Sequence, residues 1–359
     1  MEIKEMGKTK IDETEKSTHF WGYTGRFILL HLAAYTIIGG LFLLVQSRVP
    51  EAHRVALDFE YFSPYRTPGL ITLAAQALRA LILAFIFYPF YRTITSSSLG
   101  SLPLFGAMWG VAVFGSVEPI PGSLEGMVYT ITTLPEHIAV LGATAMQTAL
   151  FVWLFLRWER ARTELGNNSA GDSQENTGPV ESGKNGLPNA PISKKGHILR
   201  FSLLHLLTYW TVGSLFYQIS DYQEAMASME IFELYRPLES LVMVFGVFFG
   251  QIVRGPLLAL LLFPFLATWV HKRHGWLLLF GLLFGLTALG SPVFLHLSIE
   301  DTLNAASFSQ FIEGWTVGVP EIFTQMLLFS ILLFLWERKR FYAHLTACGI
   351  IYSEALNAG

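Results

Sequence analysis

The chain has 359 residues, 52% hydrophobic and only 14% charged, with a net charge of −3 and a mean hydropathy of +0.45. Soluble domains carry about 25% charged residues, so this composition reads as an integral membrane protein whose first partner is the lipid bilayer, and its charge balance gives no sign of nucleic-acid binding. The single cysteine, Cys348, excludes an internal disulfide framework and any cysteine-based metal cluster.

Residues 1–18 form a polar tail of mixed charge. The tail lacks the short apolar core and small-residue cleavage site of a signal peptide, so the first span is expected to be retained. A hydrocarbon core of about 30 Å needs roughly 20 helical residues. Eight segments are predicted to cross it: 27–45, 70–91, 99–117 and 137–157, then 198–219, 241–270, 276–296 and 320–336. Residues 163–196, between the fourth and fifth spans, are rich in Asn, Ser, Gly, Glu and Pro and read as a disordered linker. Residues 341–359 form a C-terminal tail.

Lys and Arg collect on one side of this pattern. They occur in the N-terminal tail, at Arg92, Arg157, Arg160 and Arg162, at Lys194, Lys195 and Arg200, at Lys272 and Arg273, and at Arg338, Lys339 and Arg340. The opposite loops are acidic on balance, with Asp58, Glu60, Glu118, Glu125, Asp221, Glu224, Glu300, Asp301 and Glu313. The positive-inside rule places both termini and the linker in the cytoplasm; Arg48, Arg54, Arg66 and Arg236 run against it.

Two stretches on either side of the linker resemble each other. RFILLHLAAYTIIGGLF in the first span matches RFSLLHLLTYWTVGSLF in the fifth, which pairs His31 with His205 and Tyr35 with Tyr209. FEYFSP matches FELYRP and pairs Glu60 with Glu233. QALRALILAFIFYPF matches QIVRGPLLALLLFPF, so that Gln76, Arg79 and Pro89 stand 175 residues before Gln251, Arg254 and Pro264. LPEH and VPEI pair Glu136 with Glu321, and the last spans close on matching WER triplets. The expectation is an all-α fold of two four-span repeats, 19–162 and 197–340. With an even number of spans each, the repeats are parallel, related by an axis along the membrane normal.

Arg79 and Arg254 each stand ten residues before a proline at the cytoplasmic end of their span. At 1.5 Å per residue this is roughly 15 Å, near the bilayer centre. An arginine at that depth costs about 2.5 kcal/mol or more, so it is expected to face the bundle interior and find a partner. Gln76 and Gln251 share its helix face. A guanidinium fork suits a carboxylate or phosphate, which makes these four residues candidates for binding a small solute or ion. Glu136 and Glu321 are the candidate partners. Each follows a proline where spans four and eight begin, a position that also suits a helix N-terminus.

His31 with Tyr35 and His205 with Tyr209 are i, i+4 pairs and candidates for proton transfer, since histidine titrates near neutral pH. Glu60 and Glu233 are outer-loop candidates. His137 has no counterpart in the second half. There is no Walker motif, Rossmann fingerprint or zinc-ligand pattern, so no metal, cofactor or catalytic residue is assigned. Three function classes fit: a transporter or channel-like protein for an anionic or proton-coupled solute; a scaffold serving a membrane-protein partner or a second copy of itself; and an intramembrane enzyme with His and Glu as acid–base groups.

Overall fold

A computed structural model describes residues 2–48, 69–97, 99–115, 122–171, 192–220, 236, 241–289 and 308–347. Every element among them is helical. The first half contains α1 (Glu2–Arg48), α2 (Gly69–Phe87), α3 (Tyr91–Thr95), α4 (Leu102–Phe105), α5 (Val111–Gly115), α6 (Leu124–Tyr129) and α7 (Leu134–Gly171). The second contains α8 (Lys194–Ile219), α9 (Leu241–Leu262), α10 (Leu266–Val270), α11 (Gly275–Phe284) and α12 (Phe308–Ala347).

Among the described residues, five helical stretches are long and apolar enough to cross a membrane: His19–Arg48, Thr72–Thr95, Leu134–Arg162, Phe245–Val270 and Val319–Ala343. The sequence suggests eight. Two of the remaining three, Leu102–Gly115 and Gly275–Ala288, are helical and apolar but short. The third, α8, is long enough, but His205, Thr208, Tyr209 and Thr211 dilute its apolar character. Large apolar side chains such as Leu29, Ile37, Trp153, Leu203, Phe245 and Leu335 face outward. Exposed apolar surface on this scale requires a nonaqueous partner, and lipid supplies one.

The prolines near the ends of the second and sixth spans do not end their helices. Pro89 and Pro264 each lie in a 3₁₀ turn, Tyr88–Phe90 and Phe263–Phe265, after which the chain resumes as α3 and α10. A proline has no N–H for the i−4 carbonyl, and a tighter turn accommodates the missing bond without breaking the rod. Pro320 likewise sits inside α12, so Glu321 is not at a helix start.

Helix α1 packs on α2 and α7, and α8 packs correspondingly on α9 and α12. The two sets meet along a seam of equivalent positions. Phe90 packs edge-on against Phe265 at 5.3 Å between ring centroids, and Thr93 Oγ1 lies 2.9 Å from Thr268 Oγ1; both pairs are 175 residues apart. Two π-helical turns, Gly106–Gly110 and Gly285–Leu289, widen α4–α5 and the end of α11 at this seam. A methyl group on Gly110 would meet Leu261 at 2.8 Å, and one on Gly285 would meet Ile86 at 2.3 Å. Positions 110 and 285 correspond by the same offset, as do 86 and 261, so each half inserts one aliphatic side chain over the other's glycine. This is the close approach that small residues permit between membrane helices.

Gly285→Ala is expected to destabilise the protein by about 1–3 kcal/mol through overpacking. Adding Ile86→Ala should return part of that loss. Thermal unfolding of the single and double variants in detergent checks the coupling; additive losses would show that the two side chains do not share this contact.

Candidate functional site

Two bidentate ion pairs lie at matching places in the two halves. Arg26 of α1 donates through Nε to Glu159 Oε1 of α7 at 2.5 Å and through Nη2 to Oε2 at 3.1 Å. Tyr91 OH adds a third bond to Glu159 Oε2 at 2.7 Å. In the second half, Arg200 of α8 donates to Glu337 of α12 through Nε at 3.0 Å and Nη2 at 2.8 Å, and His197 Nδ1 lies 2.8 Å from Oε1. Both carboxylates are essentially inaccessible. A bidentate guanidinium satisfies both oxygens at once, so each clamp ties the first helix of its half to the last. The four residues sit in the RF and WER stretches already matched by sequence. What sequence alone lacks is any sign that the two ends of a half meet.

A second polar cluster lies deeper. His205 Nε2 donates to Gln251 Oε1 at 3.1 Å, and Gln251 Nε2 reaches Glu125 Oε1 at 3.5 Å. Arg254 forms an ion pair with the same Glu125 oxygen and donates through Nη2 to the Gly115 carbonyl at 2.9 Å. His205, Gln251 and Arg254 belong to the second half, and Glu125 and Gly115 to the first, so the cluster bridges the halves. The carboxylate is neither Glu136 nor Glu321.

Glu125 arrives on α6, a six-residue helix whose N-cap Ser123 accepts from the Gly126 N–H at 2.8 Å. The same helix donates or accepts at Tyr129 OH, 2.8 Å from Tyr209 OH, and its Val128 fills the space above Gly246 of α9. Tyr129 also accepts from the Arg236 N–H at 2.8 Å. Helix α6 is therefore a cap from the first half seated on the second.

The turn before α6 is fixed by His137. Its Nδ1 accepts from the Gly122 N–H at 2.8 Å, which leaves Nε2 to donate to Thr132 Oγ1, also at 2.8 Å. Gly122 has φ +84°, a conformation that favours glycine. Glu136 reaches back at the start of α7 and accepts from both the Thr133 N–H and the Thr133 hydroxyl. Glu136 is thus engaged at its own helix end. Glu321, by contrast, lies in mid-helix, with Oε1 close to Gly213 of α8.

In the first half, Arg79 and His31 line a cavity of about 80 Å³ together with Trp109, Thr144, Gln147 and Phe151. One water needs only about 10–15 Å³. The wall is completed by Gly122 and Ser123 from the turn before α6 and by Leu286 from the second half. No Asp or Glu stands in this lining among the described residues. Trp109 Nε1 donates to Thr144 Oγ1 at 3.2 Å. His31 is buried against the edge of Phe151, as His205 is against Phe329. Gln76 is buried beside His31, as Gln251 is beside His205. Tyr35 is partly buried. Glu60 and Glu233 lie outside the described residues, and no cluster of metal-ligating side chains occurs among those described.

No protein family matches this chain, and neither does any curated protein or solved structure.

Glu125→Gln is expected to destabilise the protein by about 3–5 kcal/mol, because it leaves the Arg254 charge buried without its carboxylate. The double change Glu125→Leu with Arg254→Met should recover most of the loss. Denaturant titration in mixed micelles distinguishes this from a surface pair, for which the single variant would change little.

Proposed function

We propose that this chain is a multi-pass membrane protein of two parallel four-helix units. Within it, the cavity beside Arg79 and His31 handles a small anionic or proton-coupled solute. Support for two units comes from features that recur at matching positions. The Arg26–Glu159 clamp recurs as Arg200–Glu337. The His31–Phe151 contact recurs as His205–Phe329. The glycine contacts at the seam are reciprocal. Eight crossings would need α8 and the two short apolar stretches to complete the set, with both termini in the cytoplasm.

The observation that carries the functional reading is the cavity itself. Its lining combines a guanidinium, an imidazole, an amide and hydroxyls inside a bundle whose other interior surfaces are largely Phe, Leu and Ala. An intramembrane ionisable residue is a functional candidate when it faces such a space. Arginine supplies fixed positive charge for an anion, and the buried imidazole of His31 beside it offers a hydrogen-bonding group.

A scaffold is the competing reading, and the Arg254–Glu125 pair favours it. There the same residue types form a satisfied bridge between the halves, with the apolar outer faces left to contact another membrane protein or a second copy. An acid–base enzyme has less support, because His205 bonds Gln251, and it is Gln251 that reaches the Glu125 carboxylate.

Proteoliposomes containing the purified chain should show saturable anion flux, read with an internal pH-sensitive dye across a panel of chloride, nitrate, phosphate and pyruvate. Arg79→Gln is expected to lower that flux at least tenfold while preserving the elution profile and unfolding temperature. Absence of flux for every anion, together with a stoichiometric copurifying membrane protein, would overturn the transport reading in favour of the scaffold.

A further inference from the structure

Cations at one end of the second half stand on three segments that the fold draws together. Lys194 and Lys195 open α8, Lys272 and Arg273 lie in the turn before α11, and Arg338, Lys339 and Arg340 belong to α12. His197 and Arg200 tie α8 to Glu337 of α12. Arg338 Nη1 donates to the Arg273 carbonyl at 3.4 Å, and the His271 ring meets Phe341 edge-on at 4.3 Å between centroids. Six of these seven cations are exposed and Arg338 is partly so. The one acid within residues 192–200, 266–278 and 334–343 is Glu337, which is buried in its clamp. Like charges gathered without acids between them repel one another and attract an anion.

The repeat itself shows that the turn does not need its charges. HKRHG at 271–275 takes the place of SSSLG at 96–100, so Lys272 and Arg273 stand where the first half has Ser97 and Ser98. Both turns rest on their glycine: Gly100 has φ +65°, and a carbon added to Gly275 would overlap the Trp269 carbonyl. Each basic segment also presents an exposed leucine within four residues of a cation, namely Leu199, Leu277 and Leu335. Arg338 lies over the rings of Phe334 and Tyr342, at 5.4 and 5.5 Å from their centroids, which holds its charge against the helix surface. We propose that this end of the second half binds the phosphate headgroup of an anionic phospholipid, whose acyl chains lie along the neighbouring leucines. The proposal rests on the reading of the chain as a membrane protein. Basic groups at the edge of an apolar helix surface match a lipid's charge above its chains, whereas a soluble polyanion would leave the leucines uncovered.

The test is stabilisation of the purified full chain in dodecyl maltoside, at constant ionic strength, with dioleoyl phosphatidylglycerol, dioleoyl phosphatidylcholine and inorganic phosphate as probes. Phosphatidylglycerol is expected to raise the unfolding temperature saturably, and phosphatidylcholine, with the same acyl chains, to leave it unchanged. Lys272→Ser with Arg273→Ser gives the turn the first half's residues. It should keep the lipid-free unfolding temperature and move the phosphatidylglycerol midpoint to about tenfold more lipid. If that variant is itself unstable, Lys339→Ala with Arg340→Ala reads the same midpoint and should move it in the same direction. Arg160→Ser with Arg162→Ser, in the first half, should leave the midpoint unchanged; an equal shift there would overturn a local site in favour of diffuse attraction. Equal stabilisation by both lipids, or the full effect from inorganic phosphate alone, would overturn the lipid assignment. Release of the chain from native membranes by alkaline carbonate would overturn the membrane reading and the proposal together. Retention with no preference for phosphatidylglycerol would overturn the proposal alone.

Discussion

A guanidinium among apolar helices has no water to turn to, so the chain must bring it an acceptor. That requirement explains the least regular part of the fold. Helix α6 is only six residues long, too short to be stable alone. It is held in place because Glu125 meets Arg254, Tyr129 meets Tyr209 and Val128 covers Gly246. Its mount is in turn set by the start of α7, where Glu136 accepts from the Thr133 N–H and His137 grips the Gly122 turn. A single buried charge thus organises a cap, a turn and a helix start. The Arg26–Glu159 and Arg200–Glu337 clamps follow the same rule, each pairing a buried carboxylate with a partly accessible arginine.

The short segment that satisfies Arg254 also borders the cavity beside Arg79. Gly122 and Ser123 form part of that wall, and Glu125, two residues on, belongs to the other half's cluster. The two polar centres are therefore joined by a few residues of backbone. On the transport reading, a solute that shifts the wall shifts the cap, and the Arg254–Glu125 pair supplies the energetic difference between seated and lifted positions. On the scaffold reading, the same connection makes the two halves fold as one unit.

Part of this arrangement is legible in the sequence. The long apolar helices follow from hydropathy, and His31 and His205, in matching stretches, each pack against the edge of a phenylalanine. The partners were harder to see. Glu125 reads as one more acid in an outer loop, since a six-residue helix leaves no periodic signature. Glu136 and Glu321 look equivalent beside their prolines, yet one caps a helix and the other lies in the middle of α12, because a proline tolerated by its neighbours need not mark a boundary. Pro89 and Pro264 mislead in the same way: the 3₁₀ turn absorbs the missing donor and the rod continues. The clamps depend on contacts between residues more than 130 positions apart, which no local pattern encodes.

The seam has a consequence for how such a chain can change. Thr93 and Thr268 stand at equivalent places and touch. A side chain lying on an axis of symmetry must be complementary to itself. A hydroxyl meets this condition because it both gives and accepts a proton, whereas a lysine or glutamate there would face its own like charge. If the two halves descend from one ancestral unit that paired with its twin, every early substitution at this position was made twice and tested against itself. Joining two copies in one chain would remove that restriction. The His197–Glu337 contact, where the first half uses Tyr91 on Glu159 instead, illustrates the freedom gained: two copies can satisfy one buried carboxylate with different chemistry.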